Sequence, residues 1–161
     1  CRDMSPMTNM NHDSYPDDYL MHILSTTRAI ALVGASANIS RPSYVVMGYL
    51  LAKGYRVYPV NPGHAGGQIH GQKVYGCLTD VPGPVDMVDI FRNSAAAHDV
   101  VRTAIGEKDR LGLKSVWMQI GVRNDAAAAE AEASGLEVVM DHCPKIEYAR
   151  LAGRAGWATG R

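Results

Sequence analysis

The sequence predicts a doubly wound α/β domain built on a parallel sheet of about five strands. Three observations carry that reading. Strand-like and helix-like segments alternate five times along the chain. The strand-like segments are short apolar runs, not polar/apolar alternations, as expected when helices cover both faces of a sheet. Helix start and stop residues fall between them at the right places. Together these give a Rossmann-like, three-layer αβα arrangement with right-handed crossovers.

The elements follow in order. Residues 17–27, "DDYLMHILSTT", space Leu20, Ile23 and Leu24 as a short amphipathic helix with acids in its first turn. "AIALVG", 29–34, is the first strand. "RPSYVVMGYLLAKG", 41–54, is a helix, with Pro42 suited to its first turn and Gly54 at its end. "YRVYPVNP", 55–62, is a second strand stopped by Pro62. Residues 63–84 are glycine-rich and form a long connection with one short extended piece, "KVYG". "VDMVDIF", 85–91, is the third main strand, followed by one helix over 93–112 capped by Asn93 or Ser94. "KSVWMQIG", 114–121, is the fourth strand. An Ala/Glu helix over 124–135 ends at Gly135. "LEVVMD", 136–141, is the fifth strand, and "CPKIEYARL", 143–151, a last short helix. Residues 1–15 read as a mobile polar tail, 16–152 as one domain, and 153–161 as a short tail.

Composition sets bounds on function. A chain of 161 residues buries a real core as one domain. Its 47% apolar and 20% charged content is ordinary for a soluble globular chain. No apolar run is long enough to span a bilayer, and no leader pattern opens the chain. Cys1, Cys77 and Cys143 are an odd set without C-x-x-C, which fits a reducing cytoplasm. Net charge is zero, but residues 19–79 contain no Asp or Glu while carrying Arg28, Arg41, Lys53, Arg56 and Lys73. Such a segment is either largely core or the surroundings of an anion. Nothing here marks a nucleic-acid or membrane partner; a protein partner or a homo-oligomer stays open.

In such sheets, ligands bind outside the carboxyl ends of the strands, where strand order reverses. Those ends carry Gly34, Ala35 and Ser36, then Arg41, Pro42 and Ser43; Asn61 and Pro62; Phe91 and Arg92; Gln119 and Gly121. Gly34 opens a turn beside a phosphate, although G-x-G-x-x-G is missing: Ser36 and Ile39 stand where glycines would be. Backbone N–H groups near Ala35, Ser36 and Ser43 can donate to a pyrophosphate, and Arg41 adds a bidentate donor. NAD sites place an acid at the end of the second strand, where this chain has Asn61. A ribose phosphate is tolerated there, as in NADP or coenzyme A, although "NP" is also a plain turn signal.

The segments "VGAS…RPS", "GYRVYPVNP", "VDMVDIFR", "WMQIGVRN" and "GLEVVMDHCPKIEYARL" resemble the small bacterial CoA-binding proteins. Those proteins are related to the nucleotide-binding domain of the succinyl-CoA synthetase alpha chain. The resemblance covers about residues 17–151. It implies coenzyme A or an acyl-CoA as ligand, its pyrophosphate on Gly34–Ser36 and Arg41–Ser43, and its adenosine near Asn61, Pro62, Phe91 and Arg92. One departure is His142, where the family has Arg before the last Cys-Pro. No phosphohistidine loop is present in the 161 residues.

Other chemistry reads weakly. His64, His70 and Cys77 match no metal spacing, and Ser36 lies outside G-x-S-x-G. Cys143 precedes Pro144 at a helix start, which favours a thiolate, and follows an apolar strand, which favours burial. We expect it to be structural. Trp117 reads as core and Trp157 as exposed. The expected function is nucleotide-ligand binding without catalysis of its own. The alternatives are an NADP-linked oxidoreductase and a thiol or redox protein using Cys143.

Overall fold

The computed structural model describes residues 10–157. Its elements in chain order are α1 (Asp17–Thr26), β1 (Ala29–Val33), α2 (Pro42–Ala52), β2 (Arg56–Val60), β3 (Gln68–Ile69), β4 (Gln72–Lys73), β5 (Met87–Ile90), α3 (Ser94–Gly106), α4 (Lys108–Leu111), β6 (Ser115–Met118), α5 (Asp125–Ala133), β7 (Glu137–Val139) and α6 (Pro144–Leu151). The main sheet runs β2-β1-β5-β6-β7, and every pair in it is parallel. Strand parity divides the core. Ala31, Val88, Ile90, Val116 and Val138 face α3 and α5. Ile30, Leu32, Met87, Trp117 and Val139 face α1, α2 and α6. This is the three-layer doubly wound fold expected from the apolar runs.

Local chemistry explains the helix starts. Pro42 occupies the first turn of α2, whose N-cap Arg41 supplies no side-chain cap. The Asn93 side chain accepts from Ala96 N at 2.8 Å to open α3, and that of Asn124 accepts from Ala127 N at 2.9 Å to open α5. The helix expected over 93–112 is divided. Glu107 leaves helical geometry between α3 and α4, and the new direction carries the Arg110 guanidinium onto the carbonyl of Val81 at 2.7 Å. The connection 63–84 holds more order than one extended piece. β3 and β4 form a small hairpin whose turn places His70 and Gly71 at positive φ. His70 stacks on Tyr44 at 3.9 Å and its Nε2–H donates to the Tyr44 carbonyl at 2.8 Å, so this histidine fastens the hairpin to α2.

The sheet edges are closed without extra strands. Beside β7, the Tyr19 hydroxyl accepts from Val138 N at 3.0 Å and donates to Val138 O at 2.7 Å. The Tyr15 hydroxyl accepts from Met140 N at 2.9 Å. Beside β2, Tyr75 bonds both Pro59 O and Asn61 N. Of the segment read as a mobile tail, residues 1–9 lie outside the described residues, while His12 and Tyr15 pack against β7 and α5. Trp157, expected to be exposed, meets Tyr148 edge-on at 5.1 Å.

One buried group has no account in packing. Asp89 sits in the middle of β5 with no exposure, between Leu32 and Trp117 of the neighbouring strands. Neither carboxyl oxygen has a hydrogen-bond partner among the described residues. Burial alone raises its pKa well above the carboxylate range. The native state therefore keeps a proton that the unfolded chain releases above about pH 4. Stability assigned to Asp89 is full below that pH and is lost as pH rises. Asp89→Asn removes this linkage, so the variant should melt higher than the parent at pH 7, with the gap closing toward pH 4. Each kcal/mol recovered moves Tm by about 2–4 °C in a chain of this size. Calorimetric melts across that range decide it; a gap independent of pH would assign the titration elsewhere.

Candidate functional site

Chain order reverses between β1 and β5. From β1 the first crossover leads outward to β2, and the next returns past β1 to β5. The carboxyl ends of β1 and β5 thus open a crevice, as doubly wound sheets do at this point. Gly34 sits in it with φ of +93°, and a Cβ there would collide with the Phe91 carbonyl oxygen and lie 2.9 Å from its carbon. The single glycine of this loop is needed for contact with the end of β5.

Hydrogen bonds decide which loop atoms are free for a ligand. The amides of Gly34 and Ala35 both donate to Val60 O, at 3.0 and 3.3 Å. Ala35, expected to offer its N–H to a phosphate, is buried and already engaged. Among the described residues, the backbone N–H groups of Ser36 and Ala37, and that of Ser43 in the uncapped first turn of α2, have no partner. The Ser36 hydroxyl accepts from Asn38 N at 3.1 Å and shapes the loop. Asn61 is a brace: its Nδ2 donates to Ala35 O at 2.7 Å and its Oδ1 accepts from Gly63 N at 2.8 Å. These bonds hold the ends of β1 and β2 together and shape a cleft of about 280 Å³ lined by Gly34, Asn61, Pro62, Gly63 and Arg92.

A second cavity of about 670 Å³ lies on the other side of Arg92. Pro42, Val45 and Val46 of α2 form one wall, and Cys143, Lys145 and Ile146 at the start of α6 form another. Phe91, Gln119, Ile120 and Val122 close it from the ends of β5 and β6. Arg92 lines both spaces. Gln119 is 8% exposed and its side-chain oxygen has no partner among the described residues. Gly121 is not part of this lining; its N–H donates to Asp141 Oδ1 at 2.7 Å. Cys143 is buried yet lines the cavity, so its access runs through that space.

Charge pairing separates Arg41 and Arg92 from four other arginines. Arg102, Arg110, Arg123 and Arg150 form ion pairs with Glu130, Glu107, Asp125 and Glu147. Arg41 and Arg92 form none among the described residues, although both are exposed. His142, the departure noted in the sequence, faces away: its Nδ1–H donates to Met140 O at 2.8 Å and its ring meets Tyr15. Among the described residues no group of three or more His, Cys, Asp or Glu could hold a metal. No described helix is long and apolar enough to cross a membrane.

Sequence reasoning missed Val45, Ile120, Lys145 and Ile146 as lining residues. Apolar residues at 45 and 146 read as helix core, since the periodicity that marks a buried face also accommodates one residue at its border. A signal was available in Ile120, an isoleucine in a glycine-flanked strand-end turn with nothing local to cover it.

The fold and the crevice define a nucleotide-binding class of doubly wound domain, with donors at a switch point between a small polar cleft and a larger apolar cavity. The chain belongs to the CoA binding domain family, whose pattern it matches over residues 28–149. The Bacillus subtilis protein YneT is 32% identical over 130 residues, 81% of this chain and 92% of YneT. A Pyrococcus horikoshii protein of known structure is 34% identical, covers 95% of this chain and 100% of its own, and superposes with a TM-score of 0.78. Part of an acetyl-coenzyme A synthetase from Ca. Korarchaeum cryptofilum is also similar, at 25% identity and a TM-score of 0.58 over 70% of this chain and 25% of the synthetase.

Proposed function

We propose that this protein binds coenzyme A or an acyl-CoA across the two spaces and performs no chemistry on it. The observation that carries the reading is Arg92, a cation without an ion pair that lines both the small cleft and the large cavity. Coenzyme A is built to that plan: adenosine at one end, a pyrophosphate within, and a long pantetheine arm beyond. The adenosine lies toward Asn61 and Pro62. The pyrophosphate meets Arg92 and the unengaged amides of Ser36, Ala37 and Ser43, with Arg41 adding charge from the N-cap. The pantetheine enters the large cavity past Phe91, where the unpartnered Gln119 side-chain oxygen can accept from one of its amide N–H groups. Membership in the CoA binding domain family supports this ligand. A nicotinamide and its ribose are polar and poorly suited to a wall of Val45, Ile120 and Ile146.

A thermal-shift titration tests the reading. CoA should raise Tm progressively with concentration, as mass action requires, and more than equal concentrations of NAD or NADP. Equal stabilisation by NADP would favour the oxidoreductase reading; no shift with CoA at millimolar concentration would end the proposal.

A further inference from the structure

The large cavity has an apolar rim that coenzyme A alone covers only in part. The exposed large hydrophobic residues of the described chain are Ile39 (72%), Val45 (48%), Ile120 (56%) and Ile146 (51%). Three of the four line this one cavity, and they come from three separate elements: α2, the turn after β6, and α6. Apolar side chains converging from independent elements on one opening mark a contact that the isolated chain leaves unmade. The ligand groups already assigned do not fill it. Phosphates need the donors at Ser36, the α2 start and Arg92. A pantetheine arm brings two geminal methyls and short methylene runs to this wall, but its two amides and hydroxyl interrupt them, so it covers the three aliphatic side chains only in part.

Building on the proposed CoA site, we propose that its preferred ligand is the thioester of an uncharged, aliphatic acyl group, the chain lying among Val45, Ile120 and Ile146. The pantetheine enters past Phe91 and occupies part of the 670 Å³. Its thioester end then reaches the part of the cavity between α2 and α6, where the three residues stand. The cavity is finite and must also house the arm, so the apolar gain ends after a few carbons. A carboxylate at the chain end, as in succinyl-CoA, would lose its hydration against this rim; of the two cations that line the cavity, Arg92 is taken by the pyrophosphate and the Lys145 Nζ lies 5.3 Å from the Tyr49 ring centroid.

Calorimetric titration of the full chain with CoA and with acetyl-, butanoyl-, hexanoyl- and octanoyl-CoA tests this. Affinity should rise by up to about fourfold per buried methylene, the equivalent of about 0.8 kcal/mol, and then level off. Succinyl-CoA should bind more weakly than butanoyl-CoA. The pair Ile120→Ser and Ile146→Ser, both at exposed positions that folding does not depend on, should flatten the chain-length series. As a second readout, hexanoyl-CoA should slow labelling of Cys143 by a thiol reagent more than acetyl-CoA does, both being thioesters without a free thiol of their own, because Cys143 lines the same cavity. A flat series in the parent protein, with CoA binding intact, overturns this inference and leaves the CoA reading standing. A flat series in a parent that sediments as a dimer, and as a monomer after the double substitution, also overturns it and assigns the rim to a second copy. Binding of no member of the series rejects the CoA reading itself.

Discussion

Gly34→Ala should unfold this protein at a markedly lower temperature and damage the crevice together. The backbone at position 34 has φ of +93°, a region where an L side chain is strained. The added Cβ would also meet the Phe91 carbonyl, which is main chain and not the far end of a flexible side chain. Strain and overpacking together cost about 2–5 kcal/mol, a large part of the 5–15 kcal/mol typical of a domain. Relief can come only by separating the ends of β1 and β5, and Phe91 N is bonded to Val33 O at 2.8 Å across that seam. Phe91 and Arg92 would then leave their places together. Melting by calorimetry should show the loss of stability, and CoA titration at low temperature should show weakened binding in the fraction that remains folded. A variant with the parent's Tm would mean that the strand ends part at no cost, and the account of Gly34 would fall.

Arg92→Ala should instead leave the fold intact and weaken CoA binding. The side chain is exposed, has no ion pair among the described residues and contributes little packing, so Tm without ligand should hardly move. Charge-assisted hydrogen bonds to a phosphate are worth about 1.5–3 kcal/mol, or roughly 10- to 150-fold in Kd. Arg41→Ala should fall at the lower end of that range, since Arg41 lines neither space and acts from the N-cap of α2. Its larger effect should be on salt dependence, because an exposed charge is screened over about 10 Å at 0.1 M salt. An Arg92→Ala protein that binds CoA like the parent would move the pyrophosphate away from the junction of the two spaces.

The architecture was legible because its signals are local. Five apolar runs, a proline at the start of α2 and a cap on α3 at Asn93 each act within a few residues, and each is where it was expected. Gly34, Asn61, Phe91 and Arg92 were legible through a general rule about strand ends. What each atom does there was not. Ala35 loses its amide to Val60, a partner from another strand, and Asn61 spends both side-chain atoms on Ala35 and Gly63. Such pairings depend on how β1 and β2 align, and no spacing in the sequence encodes that alignment. Asp89 lies in a strand read as covered on both faces, but that its carboxyl is left without a partner depends on what surrounds it across neighbouring strands, which no local pattern encodes. The break at Glu107 likewise follows from Arg110 reaching carbonyls of a distant loop.

The tyrosines beside β7 limit how this protein can assemble. A parallel sheet with open borders can grow by recruiting a strand from another chain. Here the backbone groups at one border are taken by two phenols, and at the other by Tyr75, next to a proline that has no N–H to give. The phenols hold their protons well into alkaline solution: burial pushes Tyr15 up to about 12 and Tyr19 higher still. The closure is therefore independent of pH over any ordinary range. A strand from another copy would have to displace the phenols at the β7 border or Tyr75 at the carboxyl end of β2, which favours self-association through the helices or the apolar mouth of the large cavity.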